Sequence, residues 1–363
     1  MTSIKLNDIS HRRFNPFTNS WVLLASLNKN NRPRQGRKEA SAFGGRQAHD
    51  PQCYLYPGNQ RANGVRNPNY ADTFLFENDY STMRMDEGRC DTKACEKHLL
   101  RDTAADLMRA EAVIGRCYVL TYSVNHHHGV SNMTCQQVLG VVEAWTETST
   151  SMKCHEMDSR LESSLDIASR RYMQIFDNNG EIVGCSNAHP YSQIWITSSI
   201  PDEPQLEHSQ MNKYHDEHHG RHMLQDYVEL EIEREERIIL LLPKRQIRGL
   251  VDLNTTERLE FARAILQIAR IYDNLFGTTW PYISAIHQAP LDATEAELKT
   301  SYLHAHFSSP LLSPSIKKFF GGYELYGEPT REITPEFTAA CLRHSAAQLT
   351  VPLQDSTATD VRI

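Results

Sequence analysis

Two short stretches echo one another across this sequence, His189-Pro190-Tyr191 in the first part and His304-Ala305-His306 in the second. Each follows a long helix-bearing segment, reads as part of a strand and runs into apolar residues. The repeat points to two related α+β halves. A chain of 363 residues is long enough for two domains or one large one. We expect the halves at 1–200 and 201–350, with 351–363 a polar, mobile tail.

Periodicity fills in the halves. Apolar runs and alternation predict strands at Trp21–Leu24, Cys117–Tyr122, Tyr172–Phe176 and Ile194–Ile196. Asp177-Asn178-Asn179-Gly180 reads as a turn that ends the third of these. Val138–Met152 carries an amphipathic helical pattern, and Thr255–Phe276 a second one. Gln205 to about Arg237 reads as one charged helical stretch. Ile238–Leu242, Tyr282–His287 and Tyr302–Phe307 read as strands.

Residues i and i+2 of a strand share a face. His304 and His306 therefore present two imidazoles side by side, which suits a metal ion or a phosphate. His287, on the preceding strand, could approach the same place. The bland reading is a pair of polar strand residues facing solvent. His215-Asp216-Glu217-His218-His219-Gly220-Arg221-His222 also looks like a metal cluster, with His215 and His219 one helical turn apart. That stretch is polar all round, so an exposed helix face is the better expectation.

Composition excludes several classes. The net charge of -7 argues against a general nucleic-acid surface. No apolar run is long enough to span a membrane, and Met1-Thr2-Ser3-Ile4-Lys5 has no hydrophobic signal region. The eight cysteines are scattered rather than arranged as a disulfide framework. We expect reduced thiols and a cytoplasmic protein.

Many local motifs occur in a fixed order: His11-Arg12-Arg13-Phe14-Asn15-Pro16, Arg32-Pro33, Asp50-Pro51-x-Cys53, Asn78-Asp79, Gly184-Cys185-Ser186-Asn187, His189-Pro190, Gln193-Ile194-Trp195, Tyr272-Asp273-Asn274-Leu275-Phe276, Leu303-His304-Ala305-His306-Phe307 and Gly322-Tyr323-Glu324. Together they resemble the galactose-1-phosphate uridylyltransferase family, a branch of the histidine-triad superfamily. The resemblance implies two histidine-triad-like halves, with antiparallel sheets and helices packed on one side. It also implies a mechanism. The second histidine of a His-Pro-His motif attacks the α-phosphorus of a UDP-sugar, a uridylyl-histidine forms, and hexose 1-phosphate leaves. A second hexose 1-phosphate then takes the uridylyl group.

The site residues implied by the resemblance follow. Tyr191, Ser192 and Gln193 stand at the catalytic motif, with Tyr191 where the nucleophilic histidine belongs. Leu55, Asn78, Asp79, Asn178, Ser186 and Gln193 would face the uridine, ribose and phosphates, and Arg32 would reach the phosphates across a homodimer interface. Lys318, Phe319, Gly321, Tyr323 and Glu324 would line the sugar pocket. Glu207, His287, His304 and His306 match a zinc or iron site. Cys53, His126 and His189 match a second, zinc site in which Tyr56 replaces a cysteine.

The departures concern one cavity. Tyr191, Tyr56 and Ser192 depart from the pattern, Thr330 replaces a sugar-reading glutamine, and the segment between Leu230 and Leu240 is short. A phenol with pKa ~10 offers little phenolate at neutral pH. We therefore expect a scaffold repurposed from uridylyl exchange to a different substrate or reaction in the same pocket. The alternatives are an active nucleotidyltransferase using Tyr191 or water, and a non-catalytic nucleotide-sugar-binding protein.

Overall fold

A computed structural model describes residues 11–24, 51, 53–83, 115–126, 129–153, 171–234, 240–313, 316–317, 330–331 and 335–349. Its centre is a seven-stranded sheet, all of whose neighbours run antiparallel. In chain order its strands are β3 (Phe74–Glu77), β4 (Gly115–Thr121), β5 (Tyr172–Asn179), β6 (Tyr191–Thr197), β7 (Leu240–Leu241), β8 (Tyr282–His287) and β9 (His304–Ser308). Their spatial order is β3-β4-β6-β5-β8-β9-β7. A smaller sheet sets β1 (His11–Asn15) antiparallel to β2 (Ser20–Leu24), with β12 (Thr330–Arg331) parallel to β2. The strands β10 (Leu311–Ser313) and β11 (Ile316–Lys317) form a separate pair.

The two halves expected from the repeat thus share one sheet. In the sheet, β5 is the bordering strand of the first half and β8 that of the second, and the two pair directly, with Ile175 opposite Ile286 and Asn179 opposite Tyr282. This pairing also corrects the expected turn at Asp177–Gly180. Strand β5 runs through Asp177 and Asn178 to Asn179, because β8 supplies hydrogen-bond partners there, and the chain turns only at Gly180, whose φ of 106° suits glycine.

Helices cover one face of the sheet. In α1 (Cys135–Lys153), Val138, Val141, Val142, Trp145 and Ser149 are buried at helical spacing. In α4 (Thr255–Phe276), the buried stripe includes Phe261, Ile265, Ile268, Ala269 and Tyr272. These stripes meet Tyr118, Leu120, Met173, Ile175, Ile194, Ile196, Ile286 and Ala305 in one core. Helix α4 starts in a capping box. The Asn254 side chain accepts from the Glu257 N–H at 2.9 Å, and the Glu257 carboxylate accepts from the Asn254 N–H at 2.9 Å. It ends at Gly277, in the left-handed region. Its last turn stacks Tyr272 on Trp280 with ring centres 3.8 Å apart.

The charged stretch after Gln205 is two helices rather than one, α2 (Asp202–Glu217) and α3 (Met223–Arg234). The chain breaks between them because His219 and Gly220 both take positive φ, 56° and 87°. His215 is consequently buried against Gly220 and His222, not displayed on an open helix face. Two further helices, α5 (Glu295–Thr300) and α6 (Pro335–Ala347), complete the described elements. Of the strand expected at Ile238–Leu242, Leu240 and Leu241 form β7 at the sheet edge, Leu242 lies past its end, and residues 238–239 lie outside the described residues.

Candidate active site and metal centres

Strand alternation sorts the site. In β6, Ile194 and Ile196 face the helix-side core, so Tyr191, Gln193 and Trp195 project from the other face. The same rule puts His287 of β8 and His304 and His306 of β9 on that face, since their neighbours Ile286, Leu303 and Ala305 lie in the core. The expected site residues are therefore gathered on the side opposite α1 and α4.

Ser192 is not among them. It is fully buried on the helix side, where its Oγ accepts from the Trp145 indole N–H at 3.0 Å. Its expected place in the reactive pocket is corrected by the pleat itself, because a residue next to Tyr191 on a strand must face the other way.

Tyr191 packs its ring with Cys53, Leu55, Phe76 and Val119. Its hydroxyl ends at the Gly180–Pro190 loop. The backbone N–H of Ser186 donates to Tyr191 Oη at 3.2 Å, and the two hydroxyls share a hydrogen bond of 2.8 Å. Burial raises the phenol pKa above its ordinary value, and the contacts with Ser186 only partly oppose that. Gln193 accepts from the Trp195 indole N–H at 3.3 Å. A hollow beside the loop, about 270 Å³ including the solvent at its mouth, is lined by Asn178, Cys185, Asn187, His189 and Tyr191 and, from the helix side, by Tyr122, Asp177 and Tyr282. Leu55 is buried beneath Tyr191, and Asp79 is held by Arg61 at 3.2 Å. Asn78 accepts from the Tyr80 N–H. Arg32, Lys318, Phe319, Gly321, Tyr323 and Glu324 lie outside the described residues, as does the side chain of Thr330.

The Glu207 cluster is assembled from three elements. Helix α2 delivers Glu207, which is 4% exposed, to the paired strands β8 and β9, where His287 sits directly across from His304. One carboxylate oxygen lies 2.6 Å from His287 Nδ1 and 3.2 Å from His304 Nε2, and the other lies 3.3 Å from His306 Nε2. Burial alone would raise the Glu207 pKa, but the three imidazoles outweigh it and hold the carboxyl well below the usual range. The tautomer of His304 is fixed by chemistry. Its Nδ1 lies 2.8 Å from the Tyr302 carbonyl oxygen, which can only accept, so Nδ1 carries the proton. In neutral His304, the Nε2 lone pair then faces a carboxylate oxygen. Two acceptors in that position call for a cation between them, and one carboxylate with three imidazoles suits zinc or iron.

Cys53, His126 and His189 form a second group, all buried, with ligand atoms within 4.8 Å of one another. His189 Nε2 donates to the Ser123 carbonyl at 2.7 Å, which turns the Nδ1 lone pair toward Cys53 Sγ, 4.0 Å away. Burial pushes the His189 pKa down to about 4, with the Ser123 carbonyl opposing and His126 assisting. The ring is therefore neutral near pH 7, as a metal ligand must be. Asn187 braces the group: its side-chain N–H donates to Cys53 Sγ at 3.4 Å, and its carbonyl oxygen accepts from the His189 N–H at 2.9 Å. Tyr56 lies parallel to the His126 ring at 6.2 Å and edge-on to His189 at 5.6 Å. The set fits zinc with three protein ligands and Tyr56 alongside.

Three contributors were not singled out from sequence. Ser123 acts through a backbone oxygen, which no residue pattern reveals. Asn187 stood in the quoted motif, but its bond to Cys53 spans most of the half. Asp177 is buried on the helix side, where Tyr122 and Tyr282 both donate to its Oδ2 at 3.1 Å.

The described residues thus combine an antiparallel sheet, two histidine-containing groups that could hold metal ions, and a loop beside a hollow at the entry to β6. Comparison with known proteins makes this specific. The model of the galactose-1-phosphate uridyl transferase N-terminal domain matches residues 2–201, and that of the C-terminal domain matches residues 238–356. Galactose-1-phosphate uridylyltransferase of Neurospora crassa is 43% identical, covering 96% of this chain and 98% of that protein. The Saccharomyces cerevisiae protein of the same name is 35% identical, covering 94% and 95%. Among solved structures, a uridylyltransferase superposes with a TM-score of 0.68 at 20% identity, covering 94% of this chain and all of that one. An ADP-glucose phosphorylase from Arabidopsis thaliana with bound ADP-glucose gives 0.66 at 18% identity, covering 92% and 98%. The chain belongs to the galactose-1-phosphate uridyl transferase family.

Proposed function

We propose that this chain binds a nucleoside-diphosphate sugar in the hollow beside Tyr191 but does not carry the nucleotidyl group covalently on residue 191. On this reading, uridylyl exchange between UDP-hexose and hexose 1-phosphate has given way to a different substrate or reaction in the same pocket. One observation carries it. The Tyr191 hydroxyl is bonded to Ser186, and burial raises its pKa, so the phenolate that an attack on phosphorus needs is disfavoured. Among the described residues, both hydrogen bonds of this oxygen are to Ser186, whose N–H and hydroxyl are not bases.

The Glu207, His287, His304 and His306 group holds zinc or iron in this proposal, and Cys53, His126 and His189 hold zinc. The first metal ties α2 to β8 and β9, and the second ties the Cys53 loop to His189, at the entry to β6. The family resemblance supports a homodimer, with Arg32 of one subunit serving the other's pocket.

Incubation with UDP-glucose, followed by intact-mass measurement, tests the reading. The expected result is binding in calorimetry with no uridylyl adduct. A stable adduct mapped to Tyr191 would overturn it. In Tyr191→His, a gain of adduct and of exchange with galactose 1-phosphate is expected, because the bracing of His189, Asn187 and Gln193 does not depend on the phenol.

A further inference from the structure

The Tyr191 hydroxyl is held by a single residue. Ser186 brings its backbone N–H within 3.2 Å of Oη and its own hydroxyl within 2.8 Å. The N–H donates to Oη, and the Ser186 hydroxyl can either donate or accept there; a backbone N–H and a hydroxyl of one loop residue are equipped to hold a phosphoryl oxygen in the same place. The neighbouring side chain is already committed, since Asn187 bonds to Cys53 and to the His189 N–H. Ser186 itself is exposed, while the Tyr191 side chain whose hydroxyl it meets is buried, so this contact lies at the boundary between loop surface and core. Tyr191 lines the adjoining hollow, together with Asn178 and His189. Glycines at both ends of the turn, Gly180 and Gly184, hold positive φ of 106° and 83° and set the loop's curvature.

We propose that Tyr191 is a specificity-determining plug. Its hydroxyl takes the place of one phosphoryl oxygen at Ser186 and closes that corner of the pocket to phosphate groups. The oxygen filling the corner is neutral, and the same donors bind an anionic oxygen more strongly. A phosphate ligand must therefore displace the phenol before it can use them. The pocket is set to accept ligands whose charged oxygens are held elsewhere, and to disfavour those that lead with a terminal phosphate. The inference rests on the proposed reading of the hollow as a nucleotide-sugar pocket.

Tyr191→Phe removes the hydroxyl and leaves the ring in its packing with Leu55, Phe76 and Val119. Inorganic phosphate is titrated into both proteins by calorimetry at fixed ionic strength. We expect the variant to bind about tenfold more tightly, the order of one hydrogen bond to a charged group. Ser186→Ala in the Tyr191→Phe background should remove the gain. Equal binding by the two proteins overturns the plug, and so does weaker binding by Tyr191→Phe, which would make the phenol a donor to the ligand. Thermal melting checks folding, and Tyr191→Leu replaces the variant if Tyr191→Phe does not fold. UDP-glucose titrated in parallel separates the two ideas. A phosphate gain without UDP-glucose binding keeps the plug and sinks the nucleotide-sugar reading. UDP-glucose binding without a phosphate gain does the reverse.

Discussion

At residue 191 a phenol stands on the strand position from which, by family resemblance, an imidazole would attack phosphorus. The two groups differ in how they become nucleophiles. A neutral imidazole has a lone pair ready, whereas a phenol must first lose a proton. Here burial works against that loss, and Ser186 is too weak a base to take the proton. The phenol pKa lies above its ordinary ~10, so Tyr191 contributes stability that is intact below that value and lost as pH rises through its folded pKa. Subtracting the alkaline absorbance titration of Tyr191→Phe from that of the wild type should show a phenol ionising above pH ~10. Ionisation near neutrality would instead mark an activated nucleophile. The histidine clusters were legible at this scale because i, i+2 spacing and the family motifs agree on them. Ser192 was misjudged although the same alternation rule, applied one residue on, places it with Trp145. The Ser123 carbonyl was not legible at all, since every residue type carries one.

Helices and strands show where local signals suffice. Thr255–Phe276 was read from its helical periodicity, and the structure bounds it with the Asn254–Glu257 capping box and Gly277. Asn254→Ala should cost about 1 kcal/mol in urea unfolding, with activity unchanged, since the cap lies outside the pocket. The β4–β6 ladder depends on a different device. A Cβ at Gly115 would stand 2.2 Å from the Ile196 carbonyl oxygen and 3.1 Å from Met83 Sδ. Backbone cannot yield there without opening the ladder, so Gly115→Ala should destabilise by roughly 1–3 kcal/mol in the same assay. The misread elements have different causes. Asp177–Asn179 carries turn residues, yet pairing with β8 keeps it extended. Gly220 was a stop signal inside a helical pattern, and the charged residues around it masked the break.

Over the whole molecule, the two candidate metal groups sit where separate elements converge. Glu207 of α2 meets β8 and β9, while Cys53 and His126 meet His189 ahead of β6. A metal at either place joins parts of the chain that are otherwise held by packing, so binding energy becomes folding energy. Treatment with a chelator should lower Tm, and re-addition of zinc or ferrous iron should restore it, as followed by thermal melting with elemental analysis. No shift on chelation of metal-bearing protein would refute a structural role. Among the described residues, no helix is long and apolar enough to cross a membrane. The sharing of one seven-stranded sheet by both halves was not legible in sequence. The repeat told of two halves, but the contact between Tyr172–Asn179 and Tyr282–His287 spans about a hundred residues and has no local signature.

That seam has a practical consequence for anyone dividing the gene. Family models treat 2–201 and 238–356 as separate units, yet Ile175 to Asn179 bond across the boundary to Ile286 to Tyr282. Cutting the chain between the units would leave each fragment with a naked strand flank, the kind of edge that recruits other chains. Fragments 1–234 and 235–363 produced separately should precipitate or self-associate. Produced together in one cell, they should copurify as a split protein, each serving as the missing border of the other.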